Sequence, residues 1–170
     1  FRSMMAYLRG DRADLHVMTV MGGQEREFFN AREIAHMEDV RGLFLAAISI
    51  RRICLLLCAA VLLFMAVSKA DFKRVLPPSL CLGTGLFFGV IAALTAVIST
   101  DFTKYFIMFH HIFFNNDLWI LDPATDMLIN IVPEGFFMDT AGRIAFTFGS
   151  LSLILFAVCL TLTIKNKRRP

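Results

Sequence analysis

The sequence lacks the marks of several large functional classes. It has no basic face and no interleaving of basic with aromatic residues, which excludes nucleic acid as a partner. Its four cysteines, Cys54, Cys58, Cys81 and Cys159, lie inside apolar segments. Their spacing makes neither a disulfide framework nor a zinc site. They read as small packing or lipid-facing residues. Gly83-Thr84-Gly85 has no strand before it and no lysine after it, so it is not a phosphate loop. What the chain has is hydrocarbon. Of its 170 residues 57% are hydrophobic, and the mean hydropathy is +0.66. A soluble domain is nearer half apolar, so these values indicate a membrane protein. The formal charge of +3 is small, and its distribution carries more information than its size.

Three uncharged stretches stand out: Ile53 to Ser68, Ser79 to Thr100 and Ile144 to Ile164. A bilayer core needs about 20 residues of helix. The first stretch is slightly short, and Arg51 and Arg52 extend it by reaching to the headgroups. Gly85 and Gly89 form a small-xxx-small pair that favours close helix packing. Lys69, Lys73 and Arg74 follow the first stretch, then Pro77-Pro78. Lys165, Lys167, Arg168 and Arg169 close the chain.

Before the first stretch, Met4 to Leu8 is apolar enough for a helix, and Gly22-Gly23 marks a turn. Asn30 with Glu33 three residues on is a capping box, and Phe29 with Ile34 a hydrophobic staple. Ile34, Met37, Val40 and Phe44 then repeat at helical spacing. Over residues 101–142, Lys104 is the only lysine or arginine, against Asp101, Asp117, Asp122, Asp126, Glu134 and Asp139. By the positive-inside rule the 69–78 loop and the 165–170 tail are cytoplasmic, and 101–142 is outside.

The expected fold is thus an all-α membrane protein with an extracytoplasmic cap of short helices and loops. Residues 1–50 form the first part of the cap, with an amphipathic helix over about 30–50. Spans follow at 51–68, 79–100 and 143–164, with the second part of the cap at 101–142 between the last two. An outside 1–50 segment needs an earlier crossing, so a fourth, N-terminal helix is expected upstream of Phe1.

The chemistry concentrates in Asp101 to Asp117, DFTKYFIMFHHIFFNND. Two adjacent histidines lie there among aromatic rings, where hydrocarbon meets water. On a helix His110 shares a side with Phe106, Phe113 and Phe114, and His111 with Ile107, Met108 and Asn115. Successive residues point about 100° apart, so both imidazoles cannot face one pocket. An interfacial histidine in an aromatic belt is the bland reading; Trp119 fits that belt as well.

The ordered set changes the balance. His36 lies in Ala35-His36-Met37-Glu38-Asp39-Val40-Arg41-Gly42-Leu43-Phe44. Later come Phe109-His110-His111-Ile112-Phe113-Phe114-Asn115-Asn116-Asp117-Leu118-Trp119, Leu121-Asp122, Leu128-Ile129 and Pro133-Glu134-Gly135-Phe136-Phe137. In this order, with the spans between, the chain resembles the lipoprotein intramolecular transacylase family of bacterial membrane proteins. The resemblance runs from about Tyr7 to Ile164. It implies four transmembrane helices and an extracytoplasmic cap, of which this chain lacks the first helix.

The resemblance also implies a substrate: a bacterial lipoprotein whose N-terminal cysteine carries a diacylglyceryl thioether and a free α-amine. The enzyme moves the sn-2 acyl chain onto that amine, giving the lyso form. His36 and His110 are the implied catalytic pair, one accepting the amine proton and the other protonating the departing glyceryl oxygen. Asp39 or Glu33 would orient His36. Asn115, Asn116 and backbone amides are candidate oxyanion donors. His111, Asp117 and Trp119 are further candidates, and Glu134 would meet the substrate ammonium. No cofactor is implied; the partners are diacylglyceryl lipoproteins and membrane lipids. Two rivals remain: a metal-dependent hydrolase with zinc on His36, His110 and Asp117 or Glu134, and a non-catalytic subunit whose cap binds a partner. A straight helix from Asn30 to Ser68 would carry His36 far from the bilayer. For His36 to meet His110 it must tilt or break, and Gly42 is the expected break.

Overall fold

Asn30 and Glu33 close the capping box read from the sequence. The Asn30 side-chain oxygen accepts from the Glu33 amide at 2.9 Å, and Glu33 Oε2 accepts from the Asn30 amide at 2.7 Å. These bonds start the longest helix of the computed structural model, which describes residues 1–167. In chain order the elements are α1 (Arg2–Arg9), β1 (Met18–Met21), β2 (Gln24–Glu27), α2 (Ala31–Val67), α3 (Phe72–Ile98), α4 (Phe102–Phe113), α5 (Met127–Ile131) and α6 (Glu134–Lys167). The chain divides into two units. One holds Phe1–Leu56 and Phe106–Phe136, the other Leu57–Tyr105 and the chain from Phe137 onward.

In the first unit the core is assembled from segments far apart in sequence. Met4, Tyr7 and Leu8 of α1 pack with Leu15, Phe29, Met37 of α2, and Leu128 and Val132 from around α5; Ile34 lies partly buried against them. Gly10 ends α1 at φ 84°, with its amide bonded to Tyr7 and the Asp11 amide to the Ala6 carbonyl. This is the left-handed C-terminal stop that glycine favours. The Gly22-Gly23 turn proves to be the tip of a hairpin. Its φ values of 63° and 80° are the two positive angles a two-residue hairpin loop requires. β1 and β2 pair antiparallel, Met18 with Glu27 through Met21 with Gln24. The sequence showed this turn but not the strands, because Gln24–Glu27 is exposed throughout and lacks strand alternation.

α2 runs unbroken for 37 residues, about 55 Å at a rise of about 1.5 Å per residue. The break expected at Gly42 does not occur. One interior glycine weakens a helix by only about 1 kcal/mol, and the helix formers on both sides carry it through. His36 meets its partner without a kink, because the C-terminal turn of α4 belongs to the same unit as the first turns of α2.

The second unit contains α3 and the apolar lengths of α2 and α6. All three helices are long and apolar enough to cross a membrane, with peak mean hydropathies of 2.4, 2.2 and 2.2. Their large side chains point outward: Phe64 is 71% exposed and Phe146 78%. Such an apolar exterior suits lipid rather than water. Gly85 abuts Phe156, where an added Cβ would lie 3.0 Å from the ring; Gly89 has no such neighbour. α3 starts at Phe72, earlier than the expected 79. Asp71 caps it, accepting from the amides of Lys73 and Arg74 at 3.0 and 3.2 Å. Pro77 and Pro78 therefore fall inside the helix rather than in a loop. Pro77 has no N–H to offer the Lys73 carbonyl; the Asn166 side-chain amide donates to that carbonyl instead. α6 is likewise continuous from Glu134, well before the expected start of the third span. Arg168 and Arg169 of the basic tail lie outside the described residues.

Candidate active site

The site is built where the first turns of α2 meet the end of α4 and the loop after it. Glu33 ties the far segment down. Its Oε1 accepts from the Leu128 amide at 2.5 Å while Oε2 completes the capping box, and the residue is 1% exposed. Asn30 donates from its side-chain amide to Asp126 Oδ1 at 2.7 Å, and Asp126 Oδ2 accepts from the Asp122 amide at 2.7 Å. That backbone N–H above all, then the Asn30 and Thr125 donors working against burial, hold the Asp126 carboxyl below its usual range. Two clamps fix the loop after α4. Arg32 donates to the Asp117 carbonyl, and the Asn116 side-chain amide donates to Asp39 Oδ2 at 2.8 Å. Asn116 also accepts from the Leu118 amide at 3.1 Å, which turns the chain toward Trp119.

These constraints bring His36 and His110 together, with ring centroids 6.1 Å apart and planes tilted by 32°. His110 is enclosed by aromatic rings. Trp119 stacks on it at 4.7 Å and 29°; Phe106, Phe109 and Phe114 lie at 4.5, 5.5 and 5.6 Å. His36 meets Phe114 edge-on at 5.2 Å. His110 Nδ1 lies 2.7 Å from the Phe106 carbonyl. A carbonyl only accepts, so Nδ1 carries the hydrogen, and a neutral His110 presents Nε2 as an open lone pair. Among the described residues, His36 Nδ1 and Trp119 Nε1 are both buried without a hydrogen-bond partner.

A family model described as lipoprotein intramolecular transacylase Lit matches residues 1–137. The chain belongs to that family. It is an acyltransferase, and its three apolar helices make it a membrane protein. Among solved structures it resembles the in meso structure of the membrane-integral lipoprotein intramolecular transacylase Lit from Bacillus cereus. The TM-score is 0.77 and the identity 23%, over 99% of this chain and 73% of that one. That likeness concerns the fold. No curated protein matches.

Within this transacylase the two imidazoles are electrostatically biased in one direction. Burial pushes His36 down to about 4, helped by the neighbouring His110 and only partly opposed by Asp39. Burial also lowers His110, against the opposing pull of the Phe106 carbonyl. Both rings are thus neutral at physiological pH, the state in which an imidazole accepts a proton.

The other sequence candidates divide. Asp39 and Trp119 stand beside the pair. His111 is exposed and touches Trp119 edge-on at 5.1 Å. Glu33 does not fill the orienting role expected of it, because both its oxygens are taken by backbone amides. As oxyanion donors the asparagines fit poorly: Asn115 is exposed, and the Asn116 amide is engaged by Asp39. Asp117 contributes its carbonyl to Arg32 and is itself exposed, and Glu134 sits half-buried in the first turn of α6. Among the described residues no three His, Cys, Asp or Glu side chains gather as metal ligands, so the zinc set is not assembled. Asp126 and Arg32 were missed from the sequence. Their partners lie 96 and 85 positions away, and no local spacing announces such pairs.

Proposed function

We propose that the protein transfers the sn-2 acyl chain of a diacylglyceryl lipoprotein to the α-amine of its N-terminal cysteine, with His36 and His110 managing the proton. The observation that carries this reading is the convergence of two neutral imidazoles, 6.1 Å apart, within an aromatic wall. His110 is the base. Its Nδ1–H is held by the Phe106 carbonyl, and Nε2 takes a proton from the attacking amine. The free amine has a reference pKa of about 8, so a weak base suffices. The amine nitrogen bonds to the acyl carbon, and the bond from that carbon to the glyceryl oxygen breaks. The proton taken by His110 passes to the glyceryl oxygen, and the neutral ring of His36 is that oxygen's hydrogen-bond partner and relay. One bond forms, one breaks and one proton moves.

Because nucleophile and ester belong to one molecule, the site's main task is to fold the substrate onto itself, a proximity effect. The aromatic wall keeps out the water that would hydrolyse the ester. We place this unit on the extracytoplasmic side. The basic residues Lys69, Lys73, Arg74, Lys165 and Lys167, on the segments that follow the first and third apolar stretches in sequence, support that placement.

Mass spectrometry of a diacylated lipoprotein incubated with purified protein tests the reading. Intramolecular transfer leaves the mass unchanged and moves one acyl chain to the amide in the fragment ions. H36A and H110A should each abolish that isomer. A product lighter by one acyl chain, with free fatty acid, establishes a hydrolase instead. Wild-type yields from either variant remove the pair from the mechanism.

A further inference from the structure

Trp119 Nε1 is a buried hydrogen-bond donor with no acceptor among the described residues. An indole N–H can only donate, and buried tryptophans almost always find it a partner. Unpaired buried groups in folded proteins call for a reason, and a waiting reactant is one. The position is not accidental. The Asn116–Asp39 and Arg32–Asp117 clamps fix the loop that delivers Trp119, and the ring lies flat against His110. His36 Nδ1 is likewise buried without a partner among the described residues. The asparagines that offered themselves as donors are exposed or already bonded.

We propose that Trp119 donates its indole N–H to the oxygen of the transferring acyl group as that oxygen becomes an oxyanion. The proposal rests on the transfer reaction set out above and adds a catalytic residue to it. As the amine nitrogen bonds to the acyl carbon, the C=O π pair moves onto oxygen, where the indole N–H meets it. Collapse restores C=O and expels the glyceryl oxygen, which leaves with the proton first taken by His110. A preorganised donor of this kind acts most strongly in apolar surroundings, and the rings of Phe114, Trp119 and the two histidines pack against one another here.

The chain has a single tryptophan, so growth in a tryptophan auxotroph with 3-benzothienylalanine replaces Trp119 alone. That side chain keeps the bicyclic shape and the stack on His110 but carries sulfur in place of N–H. The expected result is a fall in kcat of about 100- to 1,000-fold, the usual effect of losing one oxyanion donor, with KM and the pH profile unchanged. Trp119→Phe should show the same split, and circular dichroism reports whether each protein is folded. A kcat within threefold of wild type for the sulfur isostere overturns the proposal and leaves Trp119 a packing residue. The histidine variants decide the dyad separately: if they abolish product while the isostere does not, only the Trp119 assignment falls.

Discussion

Replacing Glu33 by alanine attacks the joint that assembles the first unit without touching the proposed chemistry. The carboxylate accepts from the Asn30 amide at 2.7 Å and the Leu128 amide at 2.5 Å, and it is 1% exposed. Hydrogen bonds to a charged group contribute about 1.5–3 kcal/mol each. Alanine removes two and leaves two N–H groups short of an acceptor, one of them deep in the core, so a loss of about 3–6 kcal/mol is expected. At about 4–8 °C per kcal/mol for a unit of this size, even the lower bound is a drop of about 12–24 °C in midpoint. Glu33→Gln should fall between, since an amide has one acceptor oxygen and turns its NH2 toward one of the two donors. Trp119 lies in the affected unit and reports its melting by fluorescence, while circular dichroism follows the long helices. Cap melting should separate from loss of helix in the alanine variant. A tryptophan midpoint within 3 °C of wild type for Glu33→Ala would refute the claim that this carboxylate holds α2 to residue 128.

His36 has its pKa lowered to about 4 from 6.5. Between those values the unfolded chain binds a proton that the folded one refuses, so stability falls as pH drops from 6.5 to 4 and levels off below. His36→Phe should flatten that slope in a pH series of melting curves; an unchanged slope counts against the burial argument. An imidazolium quenches an indole stacked on it, so acidification should dim Trp119. The midpoint should lie below 6.5, because burial lowers His110, and His110→Phe should abolish the transition. Asp39→Asn keeps an oxygen for the Asn116 amide while removing charge. If the clamp matters by position, it should retain activity within about tenfold, whereas Asp39→Ala should lose more. Gly10→Ala forces a left-handed φ of 84° on a side chain that would lie 3.3 Å from Leu45; a cost of about 1–2 kcal/mol in cap stability is expected.

Local patterns were legible in the sequence and long-range ones were not. The capping box at Asn30 and Glu33, the helical repeat of Ile34, Met37 and Val40, and the three uncharged stretches all follow from spacing within a few residues. So did the burial of His110 among Phe106 and Phe114, four residues to either side. The second partners of Asn30 and Glu33 could not be read, because hydrogen bonds to Asp126 and Leu128 span more than 90 positions. Gly42 and the Pro77-Pro78 pair misled for a shared reason. Each is a breaker by propensity, and each is overruled by its surroundings: helix formers flank Gly42, and Asn166 supplies the bond that Pro77 withholds.

That last contact also orders events in time. The carbonyl of Lys73 waits for a side chain synthesised 93 residues later. The first turn of α3 therefore lacks that bond until α6 has been made. Emergence of α6 closes the bundle at that end, so a chain truncated before Asn166 should leave the translation machinery with α3 frayed at its origin.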